Sequence, residues 1–358
     1  MPSLKEIKGR INSISSTLAI TSAMKMVAAA KLQKAQMAIQ NMLPYERRLH
    51  SMLIDLMGAM NISAAASEDG SVRGSGSAER GFDQSGDRLS LSNRHDLAGM
   101  DGAYSLMAQR EVRKVAIVAF ASNSSLCGAF NSNAIREATA VINEYRASGL
   151  GDADITVYSV GRKMAEAMKK LGFPSPADFT KMSDSPSYDA ASALAQELFD
   201  GFVSGRFDKV ELVYNHYKST SSQPTTRQTY LPLSLADATA DLQAGKIADS
   251  ASESDTNRGA ETVGAPVVRQ GSPTTEDLIV EPSKEALIAT LLPKVIRLRI
   301  FTTLLDSAAA EHAARTVAMQ LATDNGNDLL QELTLEYNKG RQQKITSEIL
   351  DLVGGSMP

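Results

Sequence analysis

Apolar residues in the last part of the chain recur at helical spacing. Leu291, Val295, Leu298, Leu305, Ala309, Ala313, Val317 and Leu321 form one stripe, and Leu329, Leu333, Tyr337, Ile345, Ile349 and Val353 resume it. The pattern predicts a single helix over residues 283–353, closed by Gly354 and Gly355. At 1.5 Å per residue it would run about 100 Å, longer than a domain of this size is wide. Such a helix needs a partner along its length. Pro293 is expected to kink its first turns, whereas Gly326 and Gly340 weaken a helix without ending it. The competing reading is two or three ordinary core helices.

A partner is available at the other end of the chain. Ser3 and Glu6 form a capping box, after which Leu4, Ile7, Ile11, Ile14 and Leu18 alternate three- and four-residue steps, the seam of a coiled coil. Met24, Ala28, Leu32, Ala35, Ile39 and Leu43 continue the stripe, so the helix is expected to extend about 60 Å before Pro44 bends or breaks it. Leu49, Leu53, Leu56 and Met60 then suggest a further short helix. The two terminal helices can pack antiparallel.

Between them the period changes. Residues 112–120 form a dense apolar strand, 121–131 a turn of small residues and 134–145 a helix. Strands follow at 154–160, 210–217 and 228–233, and helices at 162–171 and 190–202. This alternation predicts a compact α/β domain with a largely parallel sheet. Two polar stretches, 63–103 and 236–275, carry too few large apolar side chains to offset chain entropy and read as flexible insertions. The resulting division is an N-terminal coiled-coil helix at 1–60, an insertion at 61–106, an α/β domain at 107–235, a loop at 236–280 and a C-terminal coiled-coil helix at 281–358. The fold class is α/β: a long antiparallel coiled coil carrying a Rossmann-like domain.

The turn from Ser122 to Asn131 follows a strand and opens a helix, the position at which phosphates bind in doubly wound folds. A Rossmann fingerprint needs three spaced glycines and a Walker loop needs Gly-Lys-Ser/Thr, yet this turn contains only Gly128. A structural turn is the favoured reading over a nucleotide site. Neither a nucleophile elbow nor a paired-carboxylate motif occurs, and Cys127 has no nearby histidine. No catalytic residue, cofactor or metal is assigned.

Composition narrows the partners. A net charge of −4 over 358 residues gives no reason to expect nucleic acid, although Lys5, Lys8, Arg10, Lys25, Lys31 and Lys34 make the first helix locally basic. Those charges suit either a solvated helix face or a partner with acidic loops. The single cysteine, Cys127, forbids an internal disulfide and is expected as a free buried thiol. His50, His95, His216 and His312 lack ligand spacing. The start has no apolar signal region, and no run of eighteen apolar residues occurs, so the chain is not expected to insert in a membrane by itself.

Specific runs at both ends narrow the reading further. Residues 20–29, Ile-Thr-Ser-Ala-Met-Lys-Met-Val-Ala-Ala, and 311–319, Glu-His-Ala-Ala-Arg-Thr-Val-Ala-Met, resemble the gamma subunit of F-type ATP synthases. So do Ala322-Thr323-Asp324-Asn325, Tyr337-Asn338-Lys339 and Arg341-Gln342. The 122–131 turn resembles that family's Gly-Leu-Cys-Gly turn, with Ser125 in place of its first glycine. The resemblance implies a non-catalytic rotary shaft that couples proton flow to ATP synthesis at the beta subunits. Its implied partners are the alpha and beta subunits, the epsilon subunit and the membrane rotor ring of c subunits, at the cytoplasmic face of a bacterial inner membrane. It also implies contact or coupling roles for Met24, Lys25, Met26, Arg315, Arg341, Gln342 and Thr346, the last three bonding to a beta-subunit loop. Two other readings use the same residues: an α/β enzyme that binds a nucleotide at 126–131 and dimerises through its helices, and a scaffold with a coiled-coil arm.

Overall fold

A computed structural model describes residues 3–68, 110–233 and 284–355. Helix α1 spans Leu4–Glu68, and the last helix, α6, spans Lys284–Gly355. Between them lie β1 (Val115–Phe120), α2 (Phe130–Ala147), β2 (Ile155–Val160), α3 (Arg162–Lys170), α4 (Thr180–Asp184), α5 (Tyr188–Val203), β3 (Lys209–Asn215) and β4 (Thr225–Leu231). The expected strands and helices are all present, with ends displaced by a few residues, and the short α4 is an addition. Most of both polar stretches lies outside the described residues, although α1 carries its helix through 63–68.

The two terminal helices pair antiparallel. Position 4 of α1 meets position 340 of α6, Leu18 meets Gly326, and Thr323 donates a hydrogen bond to the Thr21 hydroxyl at 3.1 Å. Farther up, Thr302 reaches Glu46 at 3.0 Å. Advancing along one helix therefore means retreating along the other.

Neither proline interrupts its helix. Pro44 and Pro293 both lie inside continuous elements, so of the bend or break expected at residue 44 the break does not occur, and one helix takes in Leu49, Leu53 and Leu56. A helix-interior proline loses one backbone hydrogen bond and costs about 3 kcal/mol. Packing offsets it. Leu49, Leu53 and Leu56 follow Pro44 into the core, and Pro293 sits between fully buried Leu292 and nearly buried Val295.

The sheet runs in the order β2-β1-β3-β4, parallel across the first three strands and antiparallel at β4. Period-two alternation along β1 sends Val115, Ile117 and Ala119 to one face and Ala116, Val118 and Phe120 to the other. The first face is covered by α2 and α3, through Ala134, Ala138, Val141, Ile142, Met164 and Met168. Against the second pack α5, the upper part of α1, and α6 from Ile288 to Leu304. The long helices thus form one layer of the domain before leaving it as a pair. A buried carboxylate, Glu211, lies on the first face. Burial alone would raise its pKa, but Arg227 at 2.7 Å, Lys209 at 2.6 Å and the Tyr145 hydroxyl at 2.6 Å outweigh that cost and hold it below the ordinary value.

Candidate functional site

Two regions were candidates for function: the turn after β1, and the surface of the paired helices. The turn is consumed by bonds within the chain. The Ser122 amide donates to Asn131 Oδ1 at 2.9 Å, and Asn131 Nδ2 donates to the Ser124 carbonyl at 3.0 Å. Asn123 accepts from the Arg162 amide at 2.8 Å and donates to the Thr180 carbonyl at 2.7 Å. Leu126 and Gly128 both take positive φ, 70° and 58°, which lets ten residues close compactly ahead of α2. Gly161 packs so tightly beneath the turn that a Cβ would fall 2.0 Å from the Ala121 carbonyl oxygen.

In an open parallel sheet, ligands enter the crevice at the carboxyl ends of the strands where strand order reverses, here between β1 and β3. That crevice holds α6. Ala310 packs on Cys127 and Phe130, Ala314 lies beside them, and Ala318 sits over Gly128. Arg315 donates to the Ser124 hydroxyl at 2.6 Å and pairs with Glu311 at 2.8 Å. The nucleotide-binding alternative therefore loses its site to a helix of the same chain. Cys127 is buried and free, as expected.

The helix surface is built differently. On α6 the seam toward α1 runs Met319, Thr323, Gly326, Leu330, Leu333, Tyr337 and Gly340, alternating four- and three-residue steps with half-buried or buried side chains. Val317, Leu321, Leu329, Ile345 and Ile349, which the apolar pattern assigned to the stripe, are exposed instead. Large side chains fill most of the seam, and the helices approach most closely at its two glycines. A Cβ at Gly326 would stand 2.6 Å from Leu18 Cδ2, and one at Gly340 would stand 3.2 Å from Leu4 Cδ2. On α1, Lys25 is half-buried on the pairing side while its neighbours Met24 and Met26 are exposed, at 40% and 65%.

Beyond Gly340, α6 has outrun the start of α1. Every residue of 341–352 is exposed, including Arg341, Gln342 and Thr346, whose hydroxyl donates to the Gln342 carbonyl of its own helix at 2.9 Å. These three share a patch, whereas Met24, Lys25 and Met26 lie farther back along the pair. At 1.5 Å per residue the separation is about 30 Å. Arg315 belongs to neither group. Its side chain, given a contact role by the family resemblance, is only 15% accessible and is turned toward the β1–α2 turn. Beside it, burial together with Arg315 and Lys31 pushes His312 down to about 4. Burial pushes Glu311 up, with Arg315 opposing.

Comparison with known proteins settles the family. A family model described as ATP synthase matches residues 3–357. The ATP synthase gamma chain of Phocaeicola vulgatus is 47% identical over 357 residues, covering 100% of both chains. The chain belongs to the ATP synthase gamma-chain family. The gamma chains of Bacteroides thetaiotaomicron, at 45% identity and full coverage, and of Flavobacterium psychrophilum, at 35% over 99% of this chain and 98% of that one, extend the same relation. In fold, the chain is similar to one in a Euglena gracilis mitochondrial ATP synthase structure of OSCP, F1 and c-ring, with a TM-score of 0.53 at 18% identity. That match covers 98% of this chain and 93% of the other. Membership makes this chain a non-catalytic subunit of the ATP synthase complex, its central stalk.

Proposed function

We propose that this gamma-family chain works as the rotating shaft of a proton-translocating ATP synthase. The paired helices turn inside the ring of alpha and beta subunits, while the α/β domain meets the epsilon subunit and the c ring. The observation that carries this reading is the form of α6. One half is buried in the α/β domain, and the other emerges as a slim pair ending in a single exposed helix that bears Ile345, Ile349, Leu350 and Leu352. An exposed apolar row of this kind suits a surrounding sleeve, and close approach at Gly326 and Gly340 keeps the pair narrow there. Among the described residues no helix is long and apolar enough to cross a membrane. In this reading the chain sits at the cytoplasmic face of the bacterial inner membrane, held through its partners.

Two belts are then assigned to the ring. Met24 and Met26 offer adaptable apolar contact, with Lys25 set between them at the seam. Near the tip, Arg341, Gln342 and Thr346 form a polar patch suited to a carboxylate-bearing loop of a beta subunit. A charged hydrogen bond in a partly desolvated contact contributes about 1.5–3 kcal/mol, enough to favour one rotary position without locking it. Arg315 acts indirectly, by fixing the β1–α2 turn against the shaft. Gentle detergent extraction of native membranes tests the whole reading. Purification through this chain should yield alpha and beta subunits in fixed stoichiometry, whereas recovery without them would favour the scaffold reading.

A further inference from the structure

We propose that the loop leaving β3 is a protonation-dependent clasp, with His216 and Tyr217 fastening the sheet to both long helices at once. Its existence stands on the geometry below, and its mechanical consequence rests on the shaft reading. His216 Nδ1 lies 2.6 Å from Asp306 Oδ2 on α6, and the Tyr217 amide donates to the other oxygen, Oδ1, at 2.8 Å. Across the pair, Gln36 Nε2 of α1 donates to the Tyr217 hydroxyl at 2.7 Å. The Tyr217 side chain also packs against two apolar clusters, one of Leu32, Ala309 and Ala313 and one of Cys127, Phe130 and Ala310. Two consecutive residues therefore touch the end of the sheet, the β1–α2 turn, α1 and α6.

The charge of His216 sets the strength of the tie. Asp306 faces it from α6, and Lys218 in its own loop opposes protonation. On α1 the neutral Gln36 bonds the neighbouring Tyr217 hydroxyl, and from the β4 side the Pro224 carbonyl accepts the His216 amide at 2.9 Å. The hydrogen bond to Asp306 outweighs partial burial and Lys218, so the imidazole pKa is raised above its ordinary value. The clasp is consequently at full strength below about pH 6.5, the value of an unfolded histidine, and weakens as pH rises through the folded value. In a turning complex, acidification would stiffen the joint between domain and shaft, and alkalinisation would loosen it.

Amide exchange on the full-length chain tests the clasp, after correction for intrinsic exchange chemistry. Protection of the Tyr217 amide should fall between about pH 6 and about pH 9, as His216 gives up its proton to solvent and the tie to Asp306 weakens. The Val118 amide in the central strand should keep its protection. His216→Gln should abolish the pH dependence at Tyr217, and Asp306→Asn, which keeps an acceptor oxygen, should return the His216 titration toward the ordinary value. Flat protection at Tyr217 in the wild type, or an unchanged pH dependence in His216→Gln, would overturn the proposal. Should either variant fail to fold, direct NMR titration of the wild-type His216 ring decides: a midpoint at or below about 6.5 sinks the clasp. Failure to recover alpha and beta subunits would sink the shaft reading while leaving these exchange results standing.

Discussion

The two halves of α6 have the same secondary structure and opposite surroundings. From Ile288 to Ala313 the helix is buried on several sides: Leu292, Ile300, Ala309, Ala310 and Ala313 are fully covered by the sheet, α1 and the β1–α2 turn. Past Met319 only a narrow stripe is shielded, and Leu321, Leu335 and Leu352 are 61%, 65% and 74% exposed. In the first half apolar residues hold the fold together. In the second, the same residue types remain in solvent on a rod of the gamma-chain family, available to a partner. Burial, rather than hydrophobicity, separates the positions that stabilise the fold from those left open to a partner.

The largest expected effect tests that division directly. Ile300→Ala removes a fully buried side chain and should cost about 2–5 kcal/mol in urea unfolding. Leu321→Ala, in the exposed half, should stay within about 0.5 kcal/mol. Equal losses at the two positions would erase the distinction. Smaller, but more specific to the seam, is Gly326→Val. Its side chain would meet Leu18, and the overpacking should cost about 1–3 kcal/mol, with recovery in a Leu18→Ala background. Gly9→Ala is the control, because its Cβ meets nothing within 4 Å and should leave stability unchanged or raise it by up to about 1 kcal/mol.

Acid sensitivity should also follow the buried half. The folded pKa of His312 is depressed to about 4, so its contribution is present above the unfolded value of about 6.5 and is lost as pH falls toward 4. His312→Gln should therefore flatten the decline in stability across that window, measured as the difference from wild type. Glu311, whose raised pKa acts in the opposite sense, is common to both proteins. An identical acid profile in the variant would count against a half-buried neutral imidazole. This window lies on the acid side of the one in which the His216 clasp releases.

The smallest expected stability change is at the tip. Converting Arg341, Gln342 and Thr346 together to alanine should alter unfolding free energy and helicity by little, within about 0.5 kcal/mol, because all three face solvent in the free chain. ATP synthesis and steady-state turnover of the assembled complex should nevertheless fall. Normal rates in correctly assembled mutant complexes would remove the patch from any coupling role. A loss of helicity would instead extend the stabilising half of α6 past Gly340.

The sequence by itself determined most of the helices and strands, because local periodicity is written residue by residue. The three–four steps from Leu4 to Leu18 and the dense apolar run ending at Phe120 both appear as read. It also pointed to antiparallel pairing of the ends and favoured a structural turn over a phosphate cradle after β1. Only the tertiary structure decided which face of α6 is the seam. Apolar spacing found Leu333 and Tyr337 but also favoured the exposed Val317, Leu321 and Leu329, and it passed over Thr323, Gly326 and Gly340, whose lack of bulk is invisible to a hydrophobic count. The fate of Pro44 was likewise a tertiary matter, since the local cost of a proline is fixed but the packing that outweighs it comes from residues far along the chain. So was the inward turn of Arg315 and the meeting of His216 with Asp306, 90 positions away. Sequence spacing carries no information about such a pair, because the fold alone brings its two members within reach.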